Sequence, residues 1–145
     1  MLPHRWQIER LGDVGAVFAA IRDMAVRGAP LIGVTAAYGL AQQANLDASD
    51  EAFTAAASQL RSSRPTAVNL GWALARMQAA LLELPVPKRA EAAWRLAAEL
   101  ADEDVATSRA IGEHGFAVLR ELAERHPGRQ PGFRCHPRAA GHRPH

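Results

Sequence analysis

The stretch that decides the fold is PLIGVTAAYGLAQQA, residues 30–44. It is rich in Ala, and Gly33 and Gly39 lie within it. Pro30 suits a first helical position, because the N–H that proline lacks would be unpaired there anyway. Small side chains at this density let another backbone approach closely. The stretch therefore predicts a buried helix, despite a cost of about 1 kcal/mol for each Gly.

Apolar residues on both sides of this stretch recur at helical spacing and extend the prediction to a bundle. Asp13 is a suitable N-cap for a helix over residues 14–26, and Ser49 caps a third helix. A fourth helix opens at Pro65 and Thr66, with Thr66 available to cap it. The residues predicted to face the core in these helices are Val14, Val17, Phe18, Ile21, Met24, Phe53, Ala57, Leu60, Leu70, Leu74, Met77 and Leu81.

The rest of the chain up to Arg125 also reads as helix. Pro85 and Pro87 end the fourth helix, and a long tract follows from about Lys88. Gly112 and Gly115 predict a break or kink in this tract. Its predicted core positions are Trp94, Ala97, Leu100 and Ala101 in the first part, and Ile111, Val118, Leu119 and Leu122 in the last.

The first residues carry a short alternation of apolar and polar side chains. Trp6 and Ile8 are its apolar members, and Pro3 is typical of an edge position. We expect a short strand within residues 2–11. The predicted fold class is therefore mainly α, with a small amino-terminal β element followed by a helical bundle.

Composition and charge narrow the class of protein. Of 145 residues, 48% are apolar, which is enough for a core, and one Cys excludes a disulfide framework. The longest largely apolar run, Ala29–Ala41, is shorter than the roughly 20 residues of a membrane span. The first ten residues lack the apolar region of a secretory signal. We expect a cytoplasmic protein with no membrane association.

The net charge of +2 is unevenly distributed along the chain. The last twenty residues hold 4 of the 17 Lys and Arg and no acidic residue, so residues 1–125 hold 13 basic against 15 acidic residues, a net of −2. Residues 127–145 offer little to bury and predict a disordered or aberrant basic tail. Because the tail alone carries the basicity and has few aromatics, we expect no nucleic-acid partner.

The first candidate site is the turn that precedes the helix at Pro30. A helix N-terminus presents unpaired N–H groups and a partial positive charge, and here Leu31, Ile32 and Gly33 are expected to keep theirs free. Gly28 allows close backbone approach, and Arg27 can bind a phosphate with its guanidinium. The turn predicts an anion site. The alternative interpretation is an interhelix turn with a solvated Arg.

The second candidate lies in SSRPTAVNL, residues 62–70. Here too an Arg, Arg64, precedes a helix start, and Asn69 is a polar residue within an apolar pattern. Without other support, plain capping by Thr66 explains the motif as well as ligand binding does.

Three motifs in order resemble the methylthioribose-1-phosphate isomerase family: IRDMAVRGAPLIGVTAAYGLA at 21–41, SRPTAVNLGWALARM at 63–77 and SRAIGEHG at 108–115. That family of the methionine salvage pathway is homologous to regulatory subunits of the translation-initiation guanine-nucleotide exchange factor. The resemblance covers about residues 2–126, and it implies the family's amino-terminal helical domain as domain 1–126.

The resemblance implies the interconversion of the aldose 5-methylthioribose 1-phosphate and its ketose isomer, with no metal or organic cofactor. It implies that Arg27, Gly28 and Ala29 contact the sugar-phosphate substrate, and that Arg64 does so too. Family members form homodimers. Two alternatives remain open: a relative of ribose-1,5-bisphosphate isomerase, and a non-catalytic helical regulatory or interaction domain of the initiation-factor 2B type.

The resemblance ends within residues 127–145. The family carries its catalytic Cys in a Thr-His-Cys-Asn-like motif, and Cys135 stands without those neighbours, so no catalytic role is assigned to it. The family's catalytic Asp belongs to a Rossmann-like carboxy-terminal domain that we expect this chain to lack. We expect a truncated or frameshifted product that is catalytically incompetent.

Two further groups of residues receive structural interpretations. The spacing of Cys135, His136, His142 and His145 fits no standard zinc pattern, so no metal site is predicted. Glu113 and His114 are adjacent in a predicted helix and do not share a face, which favours a surface role over an acid–base pair.

Overall fold

A computed structural model describes residues 8–126 of the chain, and within that range all regular structure is helical. Five α-helices follow one another: α1 (Val14–Arg22), α2 (Ala29–Leu46), α3 (Asp50–Ser63), α4 (Val68–Leu81) and α5 (Val86–Arg125). The predicted mainly α class is confirmed.

The predicted amino-terminal strand is wrong in the part of it that is described. Residues 8–12 adopt no strand, and Ile8 is 93% exposed. An alternation of apolar and polar residues forms a strand only where another strand and a core accept it, and Ile8 has neither. Residues 2–7 of the expected element lie outside the described residues.

Two of the predicted helix caps are confirmed. The Asp13 carboxylate accepts the N–H of Ala16 at 2.7 Å, and the Ser49 hydroxyl accepts the N–H of Ala52 at 3.3 Å. The cap predicted for the fourth helix is wrong. Its N-cap is Ala67, which has no side-chain cap, and Thr66 lies in the turn before it.

Several helix ends differ from the prediction. Helix α1 stops at Arg22, and Met24 adopts a left-handed φ of 59° with its side chain 54% exposed rather than buried. Helix α5 begins at Val86 with Pro87 in its first turn, where the missing N–H has no cost. It continues through Gly112 and Gly115, so the expected break does not occur.

Helix α2 lies at the centre of the core and contacts α1, α3 and α4, with α4 as its most extensive partner. A Cβ added at Gly39 would lie 3.0 Å from Val17 of α1 and 3.3 Å from Leu60 of α3. The missing side chain therefore lets three helices meet there. The predicted inward residues of α3 and α4 are all buried, as are Val14, Val17 and Ile21 of α1.

Arg89 of α5 is buried, with 4% of its surface exposed. Its guanidinium donates to the carbonyls of Leu84 at 2.9 Å and Leu82 at 3.1 Å, just after α4. It also donates to the Ala48 carbonyl at 2.8 Å and to the Asp50 carboxylate at the start of α3. One side chain thus satisfies backbone acceptors in two separate turns.

The chain divides into two compact units, Met1–Val105 and Ala106–His145. In the first unit, α5 contributes Ala92, Ala93, Ala97 and Leu100 to the core, whereas Trp94 is 38% exposed and packs on Tyr38. In the described part of the second unit, no side chain is buried. The core positions predicted at Ile111, Val118 and Leu122 are therefore wrong.

Among residues 8–126, no helix is both long and apolar enough to cross a membrane.

Candidate functional site

The turn before α2 has the backbone conformation that its glycine predicts. Gly28 is the N-cap of α2 with φ of +99°, which an L side chain rarely adopts. Arg27 immediately before it is exposed, and within residues 8–126 its guanidinium has no ion-pair partner. The first candidate site is thus an open turn with a free cation beside a helix N-terminus.

Fewer backbone donors are free at this helix N-terminus than the sequence suggested. The N–H of Ile32 donates to the Gly28 carbonyl at 3.0 Å. Gly33 follows in the regular helical pattern. Because Pro30 has no N–H, the donors directed away from the helix are those of Ala29 and Leu31. The expectation that Ile32 and Gly33 keep theirs free is wrong.

The first turns of α2 and α4 pack directly on each other. A Cβ added at Gly33 would lie 2.9 Å from the Asn69 carbonyl oxygen and 3.3 Å from the Ala73 Cβ. Asn69 is the second residue of α4, so the start of α4 lies against the start of α2. The two motifs found separately in the sequence are therefore neighbours. We name Arg27–Leu31 together with Arg64–Asn69 the α2–α4 junction.

Arg64 occupies the C-cap position of α3 and is half-buried at this junction. A second arginine, Arg61, covers Gly71 of α4: a Cβ at Gly71 would overlap the Arg61 guanidinium. Within the described chain, neither arginine forms an ion pair. Sequence reasoning missed Arg61, since nothing in the spacing shows that Gly71 lies beneath it.

A groove of about 200 Å³ lies elsewhere on the first unit. It is lined by Glu9, Arg10 and Leu11 of the amino-terminal segment and by residues of α1 and the following turn, and none of the four predicted binding residues lines it. One of its lining groups is Asp23, whose carboxylate accepts two hydrogen bonds from Arg22 at 2.7 and 2.9 Å. These bonds lower the pKa of Asp23 and keep it ionised.

Among residues 8–126, no three His, Cys, Asp or Glu side chains lie close enough to hold a metal ion. Cys135, His136, His142 and His145 lie outside the described residues. His114 is exposed, and its Nδ1 lies 2.7 Å from the Ala110 carbonyl, one turn earlier in α5. This contact lies within α5, and it does not join the His114 ring to another helix.

Comparison with known protein families places the chain in one of them. It belongs to the Initiation factor 2 subunit family, which matches residues 25–124.

A relative from Rhodospirillum rubrum that is named methylthioribose-1-phosphate isomerase is 52% identical over 122 residues, 84% of this chain and 31% of that protein. Among solved structures, 5-methylthioribose 1-phosphate isomerase from Pyrococcus horikoshii matches with a TM-score of 0.67 and 37% identity, over 72% of this chain and 32% of its own.

The translation initiation factor eIF-2B, subunit delta, from A. fulgidus matches with a TM-score of 0.66 and 37% identity, over 72% of this chain and 33% of its own. The chain thus spans about a third of the length of these relatives.

Proposed function

We propose that this chain binds an aldose 1-phosphate of the methylthioribose type at the α2–α4 junction and does not turn it over. The observation that carries the proposal is the packing of Gly33 on Asn69, which joins the two arginine-containing motifs in one place. The name that the relatives carry supplies the class of substrate.

The junction supplies the groups that a phosphate dianion needs. The N–H groups of Ala29 and Leu31 point out of α2, and the positive end of the helix favours an anion there. Arg27 adds a planar guanidinium with paired donors, which matches phosphate oxygens. Gly28, with no side chain, leaves the backbone open to the ligand. We propose Arg64 as the second guanidinium, from the α4 side of the junction.

Turnover needs more than binding. Moving hydrogen between C1 and C2 of the sugar requires a group that removes a proton and a group that returns it. The resemblance assigns those roles to a Cys in a Thr-His-Cys-Asn-like motif and to an Asp of another domain. Cys135 lacks that motif and lies outside the described residues. For these 145 residues we therefore propose binding groups without a catalytic pair, and we propose no metal or cofactor.

The test is a titration of the full 145-residue chain, labelled with ¹⁵N, with 5-methylthioribose 1-phosphate. We expect amide shifts at Gly28, Ala29 and Leu31, at least tenfold weaker binding for Arg27→Gln, and no isomerisation. The matched control is Arg95→Gln, because Arg95 is an exposed arginine of α5 and its loss should leave binding unchanged. Absence of shifts at the junction contradicts the binding proposal, and product formation contradicts the proposed lack of turnover.

Two further titrations separate the alternative sugars. Inorganic phosphate tests whether the anion alone is recognised, and ribose 1,5-bisphosphate tests the related bisphosphate isomerase. If the junction binds a methylthioribose phosphate, that sugar gives the strongest binding of the three. Tighter binding of ribose 1,5-bisphosphate supports the bisphosphate alternative.

The second candidate function is a non-catalytic interaction domain. It is favoured by the comparison with solved structures, in which the initiation-factor subunit matches with a TM-score of 0.66 and the isomerase with 0.67. If this candidate is correct, the amide shifts of residues 27–31 should not change on addition of any sugar phosphate. The same titration therefore decides between the two candidates.

A further inference from the structure

Two apolar side chains are exposed side by side at the start of α4. Val68, the first residue of α4, is 82% exposed, and Trp72 is 54% exposed. Residues four apart in a helix lie on one face, so these two side chains form one apolar surface. We name Val68 and Trp72 the apolar wall. It offers an apolar group of a ligand a place to leave water.

The apolar wall borders the contact between α4 and α2. Asn69 and Ala73, which directly follow its two members, are the residues on which Gly33 packs, at 2.9 and 3.3 Å from the position of a Cβ. One residue of an α-helix turns by about 100°, so the wall flanks this contact. Gly33 lies about 6 Å along the α2 axis from Ala29, whose N–H belongs to the proposed phosphate site. The wall therefore lies beside that site.

The ring of Trp72 is held in place by charged side chains. Side chains of helical residues lean toward the helix N-terminus, which directs the indole toward Val68 and the α2–α4 junction. The Arg76 guanidinium lies over the ring, 5.4 Å from its centroid. Arg76 in turn donates to both carboxylate oxygens of Glu103 on α5. A cation–π contact and an ion pair thus orient the ring and leave about half of it open to a ligand.

We propose that the apolar wall binds the methylthio group of a methylthioribose 1-phosphate, an inference that rests on the proposed function. The phosphate is on C1 and the methylthio group on C5, at opposite ends of the sugar. A ligand whose phosphate is bound at Ala29 and Leu31 can therefore extend its methylthio group across the junction to α4. A thioether is apolar and polarisable and makes favourable contacts with an aromatic ring. Val68 and Trp72 are thus specificity-determining residues for the C5 substituent.

The first test compares two ligands that differ only at C5. 5-Methylthioribose 1-phosphate carries the thioether there, and ribose 1-phosphate carries a hydroxyl. Calorimetric titration of the full 145-residue chain gives the ratio of their dissociation constants, which we name the C5 ratio. We expect the methylthio ligand to bind about five- to tenfold more tightly. Trp72→Gln and Val68→Asn should each bring the C5 ratio close to one and leave the affinity for ribose 1-phosphate nearly unchanged.

Two control variants replace exposed apolar residues elsewhere. Leu46→Asn is matched to Val68→Asn, because Leu46 is 74% exposed at the far end of α2. Trp94→Gln is matched to Trp72→Gln, because Trp94 is a partly exposed tryptophan of α5. Both controls should keep the C5 ratio of the unchanged chain. Circular dichroism checks that all four variants fold.

Glu103 acts in this proposal as a positioning residue. Glu103→Gln removes the ion pair that holds Arg76 over the ring, so it should lower the C5 ratio in part. A residue with a merely structural role would weaken both ligands alike and leave that ratio unchanged.

The second test follows the indole directly in the ¹⁵N-labelled chain. The Nε1–H signal of Trp72 is assigned by its absence from the spectrum of Trp72→Phe. It should shift with 5-methylthioribose 1-phosphate and not with ribose 1-phosphate, whereas the amides of Gly28, Ala29 and Leu31 should shift with both. The indole signal therefore reports the C5 substituent, and the amides report the phosphate.

The outcomes separate this inference from the proposed function. Amide shifts at residues 28–31 together with equal binding of the two ligands overturn the inference and support the proposed function. A C5 ratio that Trp72→Gln and Trp94→Gln change alike also overturns the inference. No shift at residues 28–31 with either ligand refutes both.

A charged C5 group has another surface available. The Arg61 guanidinium covers Gly71, which follows Val68 by three residues. If ribose 1,5-bisphosphate bound more tightly than 5-methylthioribose 1-phosphate and lost this advantage in Arg61→Gln, the C5 group would belong at Arg61. That result would overturn the assignment to the apolar wall.

Discussion

The two units of the chain use the same kind of helix in opposite ways. Residues 14–105 bury their apolar stripes, and Phe53, Leu40 and Leu70 are wholly inaccessible to solvent. Residues 106–125 carry a stripe of similar spacing, and all its large members are exposed. Periodicity therefore shows which face of a helix is apolar, whereas burial depends on whether another element lies opposite that face.

The largest expected difference between the two units comes from removing a phenylalanine from each. Phe53→Ala leaves a cavity in the core and should lower the free energy of unfolding by about 3–5 kcal/mol. Phe116→Ala removes an exposed ring and should change it by less than about 0.5 kcal/mol. Urea denaturation of both variants at low protein concentration measures the two effects. Equal losses would show that Phe116 is buried in solution.

Arg89→Ala should have the next largest effect. It should lower the free energy of unfolding by about 3 kcal/mol, because it leaves buried carbonyls in two turns without a donor. Arg89→Lys keeps the charge but cannot reach all four acceptors, so it should recover only part of the loss. Arg95→Ala, on the exposed side of the same helix, is the control. Urea melts that fail to separate Arg89→Ala from this control would refute the role of Arg89.

Replacing glycine by alanine should change the free energy of unfolding in opposite directions in the two units. Gly33→Ala places a Cβ 2.9 Å from the Asn69 carbonyl and should cost about 1–3 kcal/mol. Gly112→Ala meets nothing within 4 Å and should stabilise the helix over residues 106–125 by about 0.5–1 kcal/mol. Thermal melts followed by circular dichroism measure the change in stability of both variants. If Gly33→Ala left the stability unchanged, α2 and α4 would not pack as closely as described.

The smallest effect concerns an exposed ion pair of the first unit. Arg76 donates to both carboxylate oxygens of Glu103, at 2.5 and 2.6 Å, and thereby lowers the pKa of Glu103. The folded chain binds this proton less readily than the unfolded chain. The pair therefore stabilises the fold above the ordinary glutamate pKa, and the gain is lost as pH falls through the lowered value.

Glu103→Gln should accordingly cost a little stability at neutral pH, and the difference from the unchanged chain should close on acidification. Asp102→Asn is the matched control, because it removes an exposed neighbouring carboxylate that forms no ion pair among residues 8–126. Urea melts at several pH values compare the two variants. A constant difference for Glu103→Gln at all pH values would argue against the ion pair.

Much of the fold could be read from local patterns. The caps at Asp13 and Ser49 and the buried stripe of α4 depend on a few neighbouring residues, and the structure bears them out. The strand near Ile8 could not be decided in this way, because a strand needs a partner that short-range alternation does not reveal. The same holds for Ile111 and Leu122, whose exposure depends on what lies opposite α5.

The candidate site, too, could be predicted from the sequence only in part. The glycine before Pro30 predicts a turn open to an anion, and Gly28 adopts the positive φ that only glycine accepts readily. That the Arg64 motif lies against this turn could not be read from the sequence, since the contact joins Gly33 and Asn69 across a helix crossing. Arg61 was missed for the same reason.

The sequence by itself determined the helices, most of their caps and the small residues that allow close packing, because these depend on neighbours within one or two turns. Only the tertiary structure decided which helices meet at Gly33 and Gly39, which carbonyls Arg89 satisfies and which apolar stripe stays exposed. Those outcomes depend on contacts between residues far apart in the chain, and such contacts form only when the whole core packs.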